Sequence, residues 1–204
     1  MQGSLVILSG PSGSGKTSVA REVCKKIGEE KTYFSISSTT RAPRDGEKDG
    51  IDYFFLSKDE FIKDIEENHF LEWAEVHGNY YGTSLKPIKE ALDNGKIVFL
   101  DIDVQGFEAI NKIYPEFITS VFITTKNKQI LIDRLKNRGT ETEETLKTRL
   151  MNALSEMKKI DEYDYFLIND IFDESVDKLE AIAKISLIKS NKIETEKFLK
   201  EWNK

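Results

Sequence analysis

The stretch Gly10-Pro11-Ser12-Gly13-Ser14-Gly15-Lys16-Thr17 constrains this chain more than any other, because it fits G-x-x-x-x-G-K-[ST] between a strand pattern and a helix pattern. Leu5-Val6-Ile7-Leu8 ahead of it reads as a strand covered on both faces. Behind it Val19, Ala20, Val23, Cys24 and Ile27 recur at three and four residues, which is one face of a helix. Such a turn lets successive backbone N–H groups converge on an anion, and the helix N-terminus adds partial positive charge. The expected ligand is the phosphate chain of a nucleoside triphosphate, held by Gly10, Pro11, Ser12, Gly13, Ser14, Gly15, Lys16, Thr17 and Ser18. Lys16 is expected to reach the β- and γ-phosphates, and the Thr17 hydroxyl to meet Mg²⁺.

The rest of the chain alternates in the same way. Strand patterns fall at 33–37, 70–76, 97–102, 120–124 and 165–168. Helix patterns fall at 58–67, 85–94, 106–113, 128–136, 143–159 and 174–189. This alternation predicts an α/β fold with a mainly parallel five-stranded sheet. Ser57-Lys58-Asp59-Glu60 and Thr140-Glu141-Thr142-Glu143 each fit a capping box. The segment 36–85, rich in Tyr, Phe and glycine turns, reads as an inserted mixed lobe, and 125–157 as a polar helical lid. The core is then 1–35, 86–124 and 158–204, with a tail from Ser190 that reads as an amphipathic helix, its packing on the core left open.

Composition removes several other classes. Thirty Lys and Arg against thirty-six Asp and Glu give a formal charge of −6, the wrong sign for a general nucleic-acid binder. No apolar run approaches the ~20 residues of a membrane span. Met1 leads into a strand pattern with no charged leader, so no secretory signal is expected and the location is expected to be cytoplasmic. The single Cys24 sits in the helix stripe and reads as core, and His69 and His77 lack ligand-like spacing.

Asp101 ends the apolar strand Ile97-Val98-Phe99-Leu100, and Asp103 follows two residues later. On a strand both carboxylates point to one face, so one is expected at Mg²⁺ or its water shell and the other at the acceptor. Asp103-Val104-Gln105-Gly106 is a D-x-x-G, yet the N-K-x-D that would read guanine in a GTPase appears as Asn127-Lys128-Gln129-Ile130. Ile130 cannot accept hydrogen bonds from guanine, so the GTPase reading fails. In the inserted lobe, Thr39-Thr40-Arg41-Ala42-Pro43-Arg44 sets two guanidiniums in a proline-stiffened loop suited to a phosphate dianion. Tyr53 and Tyr81 can add phenolic hydrogen bonds to that anion. Glu72, within Phe70-Leu71-Glu72-Trp73-Ala74, is a carboxylate in an apolar strand and needs a partner. A guanine edge, with N1–H beside N2–H₂, supplies two donors to one carboxylate; a structural ion pair is the competing explanation.

These strings, together with Ser35-Ile36-Ser37-Ser38, Gly50-Ile51-Asp52-Tyr53-Phe54-Phe55, the run from Phe70 through Ser84, Val98 to Gly106 and Arg138-Gly139-Thr140-Glu141, resemble guanylate kinase over about residues 3–185. The resemblance implies a phosphate-loop core, a GMP-binding lobe and a helical lid. It implies Mg²⁺-dependent transfer of the ATP γ-phosphoryl to GMP and dGMP, giving ADP and GDP, in purine nucleotide metabolism and GMP recycling. Arg41, Arg44, Tyr53 and Tyr81 would hold the GMP phosphate, while Ser37, Glu72, Thr83 and Asp103 would surround the guanine. Asp101 would lie near the phosphates and the metal, Arg134, Arg138 and Arg149 would close from the lid, and Asn169 would lie at the adenine end of ATP. Two other readings stand beside this one. One is a related kinase with another nucleotide or a pentose bisphosphate as acceptor; the other is a scaffold domain that binds phosphopeptides. The resemblance implies no nucleic-acid or membrane partner and leaves open a homo-oligomer.

Overall fold

The computed structural model describes residues 3–76, 78–137, 143–189 and 195–204. Strand β1 (Ser4–Ser9) is buried along its whole length because it lies at the centre of a parallel sheet. The order is β2 (Thr32–Phe34), β7 (Ile97–Asp101), β1, β8 (Ile118–Thr124) and β9 (Tyr165–Ile168), and every pairing is parallel. Side-chain alternation sends Val6 and Leu8 to one face of this sheet and Leu5 and Ile7 to the other. The first face packs on α1 (Lys16–Ile27) and α7 (Phe172–Ser186), through Val19, Ala20, Val23, Leu179 and Ala183. The second packs on α3 (Leu85–Asp93) and α4 (Val104–Ile113), through Ile88, Ala91, Phe107 and Ile110. Cys24 belongs to the first cluster, where burial pushes its thiol up and keeps it protonated.

A second sheet stands apart, ordered β4 (Phe54–Phe55), β3 (Ser38–Thr39), β6 (Asn79–Ser84) and β5 (Phe70–Val76). β5 and β6 form an antiparallel hairpin through Gly78, whose φ of 77° suits glycine. Helix α2 (Lys58–Glu66) covers it, starting at the expected box: Ser57 accepts from the Glu60 amide, and the Glu60 carboxylate accepts from the Ser57 amide. Phe61 is fully buried and stacks on Phe70 and Tyr80 at 4.4 and 5.5 Å. β3, β4 and β6 carry no strand prediction, since two-residue pairings and a Gly-containing Tyr-Tyr-Gly-Thr-Ser run leave little periodic signal.

Helices α5 (Lys128–Asn137) and α6 (Glu143–Glu156) pack on each other through Leu131, Leu135, Ala153, Leu146 and Leu150. The helix expected through 159 ends at Glu156, and residues 157–162 wind as a tighter 3-10 turn, with Met157 and Ile160 tucked against the second core face. The capping box at Thr140, and His77, lie outside the described residues. The tail does form a helix, α8 (Thr195–Trp202). Its apolar side chains are uncovered: Phe198, Leu199 and Trp202 are 56, 48 and 73% exposed. Among the described residues, no helix is long and apolar enough to cross a membrane.

Candidate active site

The two sheets face each other across a cleft of about 1190 Å³. Its floor is the β1–α1 turn, where Gly10, Gly13 and Gly15 take φ of 132, 90 and 90°. At Gly10 a side chain is excluded twice over, because a Cβ there would lie 2.1 Å from the Ile123 carbonyl oxygen. Lys16 folds back over the turn: Nζ donates to Gly10 O at 2.7 Å and Pro11 O at 3.3 Å, and lies 3.8 Å from Asp101 Oδ1. Thr17 Oγ1 donates to Asp101 Oδ2 at 2.5 Å, so a hydroxyl and a carboxylate meet beside the lysine. Two hard oxygens at the end of a cationic cradle are the donor set that a small divalent cation with a phosphate chain requires.

Asp101 is the last residue of β7, but Asp103 is no longer on the strand. It caps α4, its Oδ1 accepting from the Gly106 amide at 2.8 Å, so the same-face argument from strand alternation does not apply. Both acids still line the cleft. Opposite them Glu72, on β5, accepts from Thr83 Oγ1 on β6 at 2.5 Å. Burial pushes the Glu72 carboxyl up to about 7; the Thr83 hydrogen bond opposes the rise, and the nearby Asp103 charge adds to it. A carboxylate so costly to ionise, with one hydroxyl partner and an open cleft beside it, is built to receive further donors. No ion pair to Glu72 exists among the described residues, which removes the structural salt-bridge explanation.

Arg41 lies against Glu47 at 2.9 Å and over the Tyr53 ring, its carbon 5.4 Å from the ring centroid. Burial works against its charge, and Glu47 and Tyr81 more than offset that. Tyr53 and Tyr81 meet edge to face at 6.2 Å. Burial pushes the Tyr53 phenol up, with Asp101 and Tyr81 adding to the effect, so it remains a donor. Arg44 and Ser37 line the same wall. Arg149 reaches across from α6, and its Nη1 donates to Ser12 Oγ at 2.6 Å.

The cleft therefore gathers Gly10, Ser12, Gly13, Gly15, Lys16, Thr17, Ser18, Ser37, Arg41, Arg44, Tyr53, Glu72, Tyr81, Asp101, Asp103 and Arg149. Thr83 stands behind Glu72, fully buried. Pro11 and Ser14 serve through their backbone, and Arg134 and Asn169 lie behind the turn. Arg134 donates to Ser14 O and Asn169 O, both at 3.1 Å, and Asn169 Nδ2 donates to Ser14 O at 2.8 Å. These two brace the phosphate turn in this structure, and Arg134 does not line the cleft. Arg138 lies outside the described residues.

Sequence reasoning passed over Glu47 and Glu156 among the residues lining the cleft, and the part that Gly106 plays behind Glu72. Glu47 follows Arg44 by three residues in a turn, a spacing with no motif attached. Glu156 ends α6 with Oε2 buried and unpartnered; burial pushes its carboxyl up, Lys16 opposes this and Asp103 adds to it. The sequence presents Gly106 as part of a D-x-x-G, as the end of the 98–106 string and as a helix start, none of which gives it a contact. The structure gives it a steric role, since a Cβ there would lie 2.9 Å from Glu72 Oε2 and 3.4 Å from Asp103 Oδ1. Gly106→Ala is expected to displace the Glu72 carboxylate, raising KM for the ligand that it reads by about tenfold. Helix propensity favours Ala by ~1 kcal/mol, so thermal melting should not fall. An unchanged KM would show that the glycine is not needed for the approach.

A guanylate kinase family model matches residues 2–185 of this chain. The chain is 49% identical over 201 residues to a guanylate kinase of Wolinella succinogenes, covering 98% of this chain and 93% of that protein. To a guanylate kinase of Campylobacter jejuni it is 55% identical over 182 residues, or 89 and 88% of the two chains. Its fold is similar to the crystal structure of guanylate kinase from Anaplasma phagocytophilum, with a TM-score of 0.76 at 31% identity, covering 93% of this chain and 88% of that one.

Proposed function

Because the chain belongs to the guanylate kinase family, we propose that its cleft holds ATP and GMP at opposite ends, with their phosphates meeting above Lys16. The protein is an ATP-dependent GMP kinase, a nucleoside monophosphate kinase of the transferase class. The observation that carries the site assignment is that one cleft is lined both by the phosphate turn and by Glu72, Arg41, Arg44, Tyr53 and Tyr81.

In the reaction, a phosphate oxygen of GMP attacks the γ-phosphorus of ATP. A new P–O bond forms, the bond to the β,γ-bridging oxygen breaks, and ADP leaves with that electron pair. A phosphate monoester is already anionic at neutral pH, so no general base is needed, and the protein contributes position and charge. Lys16 neutralises charge on the transferring group, and Arg149 brings a second cation from α6. Arg41 and Arg44 grip the acceptor phosphate while Tyr53 and Tyr81 donate to it. Glu72 takes guanine N1–H and N2–H, with Ser37, Thr83 and Asp103 completing the base pocket. We assign Arg134 to bracing the turn that holds ATP, and Asn169 to the same support beside the adenine end; Arg138 belongs with the closing arginines. Thr17 and Asp101 would hold Mg²⁺, Asp101 directly or through water. When bound, Mg²⁺ neutralises the phosphate oxygens around the transferring group.

The division into core, acceptor lobe (36–85) and lid (125–157) lets both nucleotides enter before closure excludes water as a rival acceptor. These residues read the base and the phosphate, so dGMP is accepted as well. The expected location is the cytoplasm. With chelator in excess, ADP formation from ATP and GMP is expected to stop and to return on adding Mg²⁺, while calorimetric binding of GMP persists. Undiminished turnover without a divalent cation would contradict the role given to Thr17 and Asp101.

A further inference from the structure

Glu47 faces the cleft from the turn that follows Arg44, and its carboxylate is committed to the acceptor wall. Both oxygens accept from Arg41 Nη2 at 2.9 Å, and Oε2 also accepts from the Arg44 backbone amide at 2.8 Å. The two side chains are largely buried, at 14 and 19% exposure. The other terminal nitrogen of Arg41, Nη1, donates to Ala42 O at 2.7 Å, and the guanidinium lies over Tyr53 and Phe55 at 5.4 and 5.9 Å. The Glu47 amide closes the turn on Arg44 O at 3.0 Å.

An arginine is long and rotamer-rich, and one that must find its phosphate from solution loses that freedom on binding. Arg41 has already lost it. A guanidinium carries five N–H donors. Glu47 takes at most the two on Nη2, Ala42 takes one more, and Tyr81 is a further side-chain hydrogen-bond partner, so the guanidinium is fixed with donor capacity left for an incoming anion. Arg41 lines the cleft, and the other groups at this wall, Tyr53, Tyr81 and Arg44, suit the same ligand.

We propose that Glu47 is a positioning residue for GMP: without touching the nucleotide, it fixes the Arg41 guanidinium and the Arg44 backbone in the orientation that receives the acceptor's phosphate. This rests on the reading above that Arg41 and Arg44 grip that phosphate. The opposite role, a carboxylate that competes with the phosphate for Arg41, predicts the opposite sign and is separable by experiment.

Guanosine separates positioning from general support of the loop, because it keeps the base and sugar and lacks the phosphate. In Glu47→Ala, KM for GMP is expected to rise about tenfold or more, while the inhibition constant of guanosine against GMP and KM for ATP hold. Glu47→Gln, which preserves size and an oxygen for the Arg44 amide, should show the same selectivity in smaller measure and covers the case in which Ala fails to fold. Equal weakening of GMP and guanosine would overturn the proposal in favour of a loop-support role. A lower KM for GMP in either variant would overturn it in favour of competition. Arg41→Ala is the control for the underlying reading. If it leaves KM for GMP unchanged, the phosphate-grip assignment fails; if it raises KM and neither Glu47 variant does, the Glu47 proposal alone fails.

Discussion

Lys16→Met is expected to lower kcat for ADP formation by about a hundred- to a thousandfold, the range seen when one preorganised donor to a developing charge is removed. Lys16 is held at its ammonium, which rests on Gly10 O and Pro11 O and lies 3.8 Å from Asp101, with 12% of the side chain exposed. Methionine keeps the stem and its packing but gives up the ammonium's hydrogen bonds to Gly10 O and Pro11 O. The melting temperature should therefore fall by only a few degrees while turnover collapses, and KM for GMP should move little because the acceptor wall is untouched. Turnover near the parent value would remove Lys16 from the transfer step.

Glu72→Gln is expected to produce two effects of opposite sign. For function, an amide offers one acceptor and presents two donors of its own to the guanine donors. The variant should lose about a hundredfold or more in kcat/KM for GMP, the loss expected when buried polar groups are left unpaired, with ATP binding unchanged. For stability, the folded-state pKa of about 7 lies above the usual 4.5, so the folded protein binds more protons than the unfolded chain between these values. Stability of the free enzyme therefore falls as pH rises from about 4.5 to 7, and the penalty is fully present above 7. Gln cannot ionise and can still accept from Thr83, so at pH 8 the variant should be more stable than the parent by about 2 kcal/mol. In the parent enzyme the same ionisation contributes to the pH profile: KM for GMP should rise as pH falls through about 7, and in Glu72→Gln that step should vanish, leaving only the rise near pH ~6 set by the second ionisation of the GMP phosphate. A variant less stable at pH 8, or a step near pH ~7 shared by both proteins, would dissociate Glu72 from the base.

The phosphate turn was legible because its chemistry is local. Glycines, a lysine and a hydroxyl within eight residues, set between strand and helix periodicities, determine the geometry seen at Gly10 to Thr17. The parallel sheet was legible for a similar reason, since its buried strands read as short apolar runs between amphipathic helices. The second sheet was harder, as β3 and β4 pair over only two residues each and their existence depends on β6 lying alongside. Asp103 lines the cleft for a reason other than strand alternation: it is a helix cap, not a strand neighbour of Asp101. The parts played by Glu47, Gly106 and Glu156 stayed silent in the sequence because each depends on neighbours that only the fold, or an irregular turn, brings close. Glu156 is set among charged helix residues, and only the fold shows that its oxygen is buried. The tail reads as an amphipathic helix and becomes one, but what an apolar face packs against is a tertiary fact that periodicity does not contain.

The central claim is that the acceptor end of this cleft recognises guanine through Glu72 beside a phosphate grip. Its most direct test is ADP formation from ATP and Mg²⁺ at pH 8, with GMP, dGMP, IMP and AMP offered in turn to the parent enzyme and to Glu72→Gln. The account predicts strong turnover of the parent with GMP and dGMP, less with IMP, which lacks the 2-amino group, and little with AMP, with most of the GMP preference over IMP lost in Glu72→Gln. Equal use of GMP and AMP by the parent, or a preference for GMP over IMP unchanged in the variant, would contradict it.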